Sequence, residues 1–221
     1  MLKRFFSSLL PQKVFDKILL WNFWRYWSQD PNAFLQKSGF IKSFLTNKPC
    51  DPDGNPLPWM NYGVIAFLQE RLNKDMRIFE YGSGYSTIYW AQRVGHCTSV
   101  EYDKIWYDKM NEQLSALKEV ELVYRPLNDN YTAVIQEQET PFDLIIIDGR
   151  ERVQCAINAF DHLKDDGILL LDDSSRDRYQ AAWDFYKEKG FKQLTFTGLK
   201  PTGWNADSTT LFYRSNNCFG I

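Results

Sequence analysis

The chain has 221 residues, enough for one well-cored domain with an extension. Its 44% apolar and 24% charged residues are ordinary for a globular protein, and a net charge of -2 without a basic run argues against a duplex nucleic-acid binder. Four scattered cysteines (Cys50, Cys97, Cys155, Cys218) without a C-x-x-C pair, and only two histidines (His96, His162), argue against structural zinc and suit free thiols in a reducing cytosol.

The N-terminal stretch MLKRFFSSLLPQKVFDKILLWNFWRYW lacks a small-residue cleavage pattern, and its apolar runs are too short to span a bilayer. Ile18, Leu19, Trp21, Phe23, Trp24 and Trp27 alternate with Lys13, Lys17 and Arg25, which allows a helix lying on an anionic membrane. The commoner arrangement is a helix packed on the main domain with its tryptophans buried, and that is the expectation here. The location expected is cytoplasmic, with peripheral membrane contact as the alternative. Residues 50–62, CDPDGNPLPWMNY, read as an ordered loop. The chain therefore divides into a helical extension and loop (1–60) and a main domain (61–221).

Val64, Ile65, Phe67, Leu68 and Leu72 predict a helix over 62–72. Strands and helices then alternate. RIFEY is a strand; Ser86 can cap a helix running through Trp90 and Val94; TSVEY is the second strand; Tyr107 to Leu117 is helical; VELVY is the third strand. FDLIIID is a continuous apolar run that suits a strand buried on both faces. Residues 152–163 form a helix that Gly167 suits as a stop, GILLLDD is the fifth strand, and Tyr179, Trp183 and Tyr186 mark a helix ended by Gly190. KQLTFT and STTLFYR follow without an intervening helix and should pair antiparallel. This is an α/β, doubly wound, mainly parallel seven-stranded sheet with an N-terminal helical extension.

Right-handed crossovers put the strand C-terminal ends on one edge, where ligands of such sheets bind. The ends are Glu80-Tyr81-Gly82, Glu101-Tyr102-Asp103, Asp148-Gly149-Arg150 and Asp172-Asp173-Ser174, all acidic, which core packing does not require. Gly82 and Gly84 let the backbone approach a ligand. Glu101, about 20 residues on, stands where an acid grips a ribose diol. Glu80 before the turn opposes a pyrophosphate and favours a cation, so a sulfonium nucleotide is preferred to a dinucleotide.

EYGSGYST, SVEYD, FDLIIIDG and GILLLDD, in this order, resemble the class I S-adenosylmethionine-dependent methyltransferases over about residues 60–215, with a Rossmann-like fold. PWMNY, DGRER and STTLFYRSNNC resemble a bacterial group of that family without a settled substrate. The resemblance implies a cofactor site of Glu80, Tyr81, Gly82, Ser83, Gly84, Ser86 and Thr87 around the turn. It adds Glu101 and Tyr102 at the ribose, Asn128 at the adenine, and Asp148 at the fourth strand tip. Ser86 replaces the family's usual third glycine.

Methyl transfer to a hydroxyl needs alignment, exclusion of water and a proton acceptor. Asp148 is placed for that role, with Asp172 and Arg150 beside it. Catechol-type O-methyltransferases resemble this layout and hold a metal on such acids, which makes Asp148, Asp172 and Asp173 candidate Mg²⁺ ligands; the catalytic lysine of those enzymes is unmatched, with Glu151 near its place. Arg150, Arg152, Arg176 and Arg178 either bind an acidic substrate, such as a uronic acid or phosphorylated sugar, or pair with the aspartates. Trp59, Tyr62 and Trp204 either wall a substrate pocket or cover the sheet edge. The expected activity is O-methylation of a small-molecule or carbohydrate hydroxyl; a non-catalytic module and a nucleic-acid methylase, which lacks its Asn/Asp-Pro-Pro-aromatic tetrad here, are the alternatives.

Overall fold

The protein is described by a computed structural model over residues 11–221. Among the described residues, four helices precede the sheet: α1 (Gln12–Gln29), α2 (Phe34–Lys37), α3 (Phe40–Thr46) and α4 (Tyr62–Gln69). The main domain continues as β1 (Arg77–Tyr81), α5 (Tyr85–Ala91), β2 (His96–Glu101), α6 (Lys104–Leu114), β3 (Val120–Tyr124), β4 (Phe142–Ile147), α7 (Arg152–Asn158), β5 (Leu163–Leu171), α8 (Gln180–Glu188), β6 (Lys192–Leu199) and β7 (Ala206–Tyr213).

The seven strands lie in the order β3-β2-β1-β4-β5-β7-β6. The first five pair parallel, and β7 runs antiparallel between β5 and β6. Order reverses between β1 and β4, which makes their carboxyl ends the switch point. The β6–β7 hairpin points its connection to that same edge, because β6 runs in the direction of β5.

Period-two alternation along buried strands divides the core between the two faces. Ile145, Ile147, Leu169 and Leu171 pack with Ala156 of α7 and Ala182 and Tyr186 of α8. Leu144, Ile146, Ile168 and Leu170 pack with Val64 and Leu68 of α4 and Trp90 of α5. Every residue of β4 is buried: Leu144–Ile147 form an unbroken apolar run, and the one charged residue, Asp143, is paired with Lys164 at 2.9 Å.

Several boundaries differ from expectation for local reasons. α5 begins at Tyr85, so Ser86 lies within its first turn and caps nothing; the Gly84 N–H instead donates to Thr87 Oγ1 at 3.0 Å. α6 starts at Lys104 because the Asp103 side chain accepts the Trp106 N–H. Gly167 ends no helix: it lies inside β5, where the register slips against β4, and a Cβ there would meet the Phe142 carbonyl oxygen at 2.8 Å. A 3-10 helix at Tyr131–Glu137, without a strong periodic signal, leads into β4. The largest departure is α1, which buries none of its residues and leaves Trp21 and Trp24 exposed, against the expected docking on the domain.

Candidate active site

A cleft of about 890 Å³ opens at the carboxyl edge of the sheet. Of the expected residues, Gly82, Ser83, Gly84, Ser86, Glu101 and Tyr102 line one part of it. Asp148, Arg150, Asp172 and Asp173 line another. Gly82 adopts φ +97°, a left-handed conformation that glycine tolerates, and its Cα lies against Gly149: a Cβ on Gly82 would meet the Gly149 backbone at 3.0 Å. The tips of β1 and β4 therefore approach backbone to backbone. At Gly84 the outer face is open, with only Trp106 3.9 Å from an added Cβ.

Glu80 does not face the cleft. It is wholly buried beneath the turn, accepting hydrogen bonds from Thr87 Oγ1 (2.6 Å), Trp90 Nε1 (2.8 Å) and Ser99 Oγ (2.9 Å). Burial raises its pKa, and the donors of Ser86, Thr87, Trp90 and Ser99 partly offset that rise. Thr87 relays the contact to the Gly84 amide, so Glu80 anchors the turn from below rather than meeting a ligand directly. Tyr81 is also internal; its hydroxyl donates to the Thr132 carbonyl at 2.8 Å. Thr87 is buried with Glu80, and Asn128 is exposed in the turn after β3, outside the cleft.

Glu101 occupies the cleft wall at the end of β2. One carboxylate oxygen accepts the Tyr102 and Asp103 amides at 2.9 and 2.8 Å. The other accepts from Ser83 N and Oγ at 3.2 and 3.0 Å. Trp106 Nε1 donates to the Ser83 carbonyl at 2.8 Å and braces the same turn. The strand-end acid and the glycine turn are thus one hydrogen-bonded unit.

Across the switch point, Arg152 joins two strand tips. Its guanidinium donates to the Gly149 and Asp148 carbonyls (both 3.0 Å), the Asp172 carbonyl (2.6 Å) and Asp148 Oδ1 (2.9 Å). Arg152 and Arg176 also pair with Asp173 at 3.3 and 2.6 Å. Arg150 donates to the Tyr102 hydroxyl at 3.1 Å, and Arg178 to that of Tyr179 at 3.0 Å. Arg152 and Arg176 thus pair with the aspartates and Arg150 and Arg178 with tyrosine hydroxyls, while Arg150, Arg176 and Arg178 stay exposed.

Lys200, which the sequence reading did not single out, completes the network. Its Nζ lies 2.7 Å from Asp172 Oδ2, 2.6 Å from Asp173 Oδ1 and 3.1 Å from Asp207 Oδ2. Thr209 Oγ1 donates to the remaining Asp172 oxygen at 2.6 Å. Burial opposes the lysine's charge, but the carboxylates more than reverse this and raise its pKa. Asp173 likewise loses charge stability to burial but gains more from Asp207, Lys200 and Arg152, so its pKa falls well below the carboxylate norm. Asp148 moves the other way: burial and the neighbouring Asp172 charge raise its pKa, only partly countered by Arg152 and Lys200.

The Mg²⁺ expectation gains no support from this arrangement. The Lys200 ammonium sits between Asp172 and Asp173, and the guanidinium of Arg152 sits on Asp148 and Asp173, supplying the positive charge and contacts a metal would supply. Among the described residues no cluster of acids, histidines and cysteines is arranged to hold a metal. Trp59 and Trp204 line the cleft and are exposed, whereas Tyr62 turns away from it to pack edge-on against Phe34 at 5.6 Å.

Comparison with known proteins agrees with this geometry. Residues 79–174, from β1 through the tip of β5, match a family described as a methyltransferase domain. The O-methyltransferase TomG of tomaymycin synthesis from Streptomyces achromogenes, solved with SAM, is 18% identical with a TM-score of 0.55, over 68% of this chain and 78% of that one. An rRNA methylase from Streptococcus thermophilus is 15% identical with a TM-score of 0.52, over 67% and 92%. SMU.1697c from Streptococcus mutans, solved with SAH, is 15% identical with a TM-score of 0.53, over 67% and 94%. No curated protein matches the sequence. The matched segment is similar to a methyltransferase domain, and the likeness to these structures shows a shared Rossmann-like fold.

Proposed function

We propose that the chain methylates a hydroxyl oxygen of a small molecule or carbohydrate. The observation that carries this reading is Asp148: a carboxylate at the switch point, partly open to the cleft, whose pKa is raised by burial and by Asp172. A more basic carboxylate is a better proton acceptor near neutral pH.

The residues around the glycine turn fit S-adenosylmethionine. The outer face of Gly84 is open, and Glu101 presents a carboxylate to the cleft about 20 residues after the turn, as ribose recognition requires. Ribose hydroxyls would compete with Ser83 Oγ for Glu101, so cofactor binding exchanges one donor for another on an already ordered acid. Glu80 holds the turn through Thr87 from beneath. When bound, the cofactor supplies an electrophilic methyl carbon on a sulfonium.

S-adenosylmethionine held by the glycine turn and Glu101 would supply the methyl carbon and a neutral thioether leaving group, and Asp148 would take the proton of the attacking hydroxyl. Arg152, on Asp148 Oδ1, fixes the carboxylate in place and leaves its other oxygen for the proton. Trp59 and Trp204 offer aromatic faces for a ring or sugar at the cleft mouth. The domain division at about residue 60 follows from the same reading, since every residue assigned to the cofactor and the proton lies beyond it.

Calorimetry and turnover test this together. Glu101→Ala should weaken S-adenosylmethionine binding about ten- to hundredfold, the scale of lost hydrogen bonds to a charged group. Asp148→Asn should leave that affinity near wild type and lower kcat roughly 10²–10⁴-fold on a hydroxyl acceptor found by a radiolabelled-methyl screen. Full turnover by Asp148→Asn removes it as the base, and tight NAD binding in place of S-adenosylmethionine overturns the reading.

A further inference from the structure

α1 is a helix of 18 residues with no buried side chain. Leu20 and Tyr26 are each 66% exposed, Trp21 61%, Phe23 55% and Trp24 51%. A globular domain rarely leaves so many large apolar groups together in water unless they have a partner. Their only described ties are local: Arg25 lies over the Trp21 ring at 5.3 Å, and Phe23 stacks on Trp27 at 5.2 Å. The helix meets the rest of the chain through a hydrogen bond from Gln36 of α2 to the Ser28 carbonyl.

Charge distinguishes the occupants. Residues 1–30 hold five basic residues (Lys3, Arg4, Lys13, Lys17, Arg25) against Asp16 and Asp30, although the whole chain is net -2. The excess positive charge is therefore local to the N-terminal part of the sequence, with Lys13, Lys17 and Arg25 on α1 itself and Lys3 and Arg4 outside the described residues. A second copy of the helix would bring like charges together, whereas an anionic bilayer complements them. Tryptophan and tyrosine have an apolar body and a polar tip, which suits the headgroup level on more than one side of a helix. No described helix is long and apolar enough to cross a membrane, so α1 would lie on the surface.

We propose that α1 docks the protein on an anionic lipid bilayer through its aromatic and basic side chains. The elements that follow carry further exposed apolar groups toward the site: Phe44 of α3 packs edge-on at 4.9 Å against Trp204, which lines the cleft. The docking does not depend on methyl transfer and can be read without it.

The test is co-sedimentation of the full chain with vesicles of equal phosphatidylglycerol and phosphatidylcholine, beside vesicles of phosphatidylcholine alone. The protein should pellet with the anionic vesicles and stay largely in solution with the neutral ones, with binding falling as salt rises. Trp21→Ser/Trp24→Ser should release it, and Lys13→Glu/Lys17→Glu/Arg25→Glu should weaken binding by at least about fivefold per charge removed. These side chains bury nothing in the fold, so unchanged circular dichroism and calorimetric cofactor affinity should accompany the loss. Failure of the wild-type protein to pellet with anionic vesicles overturns the proposal, as does equal binding by either variant. A lipid-free dimer, seen by light scattering and separated by the tryptophan substitutions, assigns the surface to a second copy and also overturns it.

Discussion

Lys200 shows how much a single side chain can decide. Three carboxylates converge at the tips of β5 and β7, and one ammonium holds them together. Removing one member of a buried charge set leaves the rest uncompensated, at a cost of about 3–5 kcal/mol. Lys200→Met should therefore lower unfolding free energy by that order in urea titrations. Asp172→Asn added to Lys200→Met should cost less than the two single changes summed, because the orphaned charge is gone. Strict additivity would show that the contacts are not coupled. Glu80 gives the contrasting case of a residue placed correctly at a strand tip but directed inward. The sequence positions it at the turn; only side-chain direction shows that it supports Gly84 through Thr87 instead of contacting a ligand.

At the scale of elements, the site depends on how closely β1 and β4 approach at their ends. Gly149 has no room for a methyl group: an added Cβ would lie 2.1 Å from the Tyr131 hydroxyl oxygen and 3.1 Å from the Tyr81 carbonyl carbon. Gly149→Ala should cost about 1–3 kcal/mol through overpacking and loosen the turn proposed to hold the cofactor. The Tyr131 hydroxyl is buried without a hydrogen-bond partner among the described residues, so Tyr131→Phe should change stability little and partly rescue Gly149→Ala. Thermal unfolding of the two single variants and the pair checks this; no rescue would mean that the strand backbone, not the hydroxyl, sets the limit. The same scale explains the misplaced stop at Gly167. In sequence a glycine after an apolar helix resembles a terminator, but here it marks a register slip between β4 and β5 that no local pattern reveals.

For the molecule as a whole, the acid network links stability to pH in two opposing directions. Asp173 has a folded-state pKa below its unfolded value, so its stabilisation is present above about pH 4 and is lost as pH falls toward the folded pKa. Asp148 is raised instead, so the folded state retains its proton to higher pH than the unfolded chain does. Its contribution is fully present below about pH 4 and declines as pH rises through the raised folded pKa. Tm measured against pH should thus fall below about pH 4 less steeply in Asp173→Asn than in wild type, and Asp148→Asn should flatten the decline on the higher-pH side. Identical profiles for the wild-type protein and both variants would refute the linkage.

The sequence by itself determined the strand-helix alternation, the antiparallel closing hairpin, and the acids and glycines at one sheet edge. These are local matters of apolar period, turn residues and chain order, and each is written within a few neighbouring positions. The place of Glu101 beside the glycine turn was legible because its distance from that turn reflects a single βαβ unit. Tertiary structure alone decided that Lys200, from the β6–β7 connection, and Asp207, at the start of β7, meet Asp172 and Asp173, that Arg152 clamps two strand tips, and that Trp21 and Trp24 of α1 face water. Such pairings depend on which ends of distant strands share an edge and which helix face finds a partner. The free energy of burial and charge neutralisation is defined only once the chain has closed.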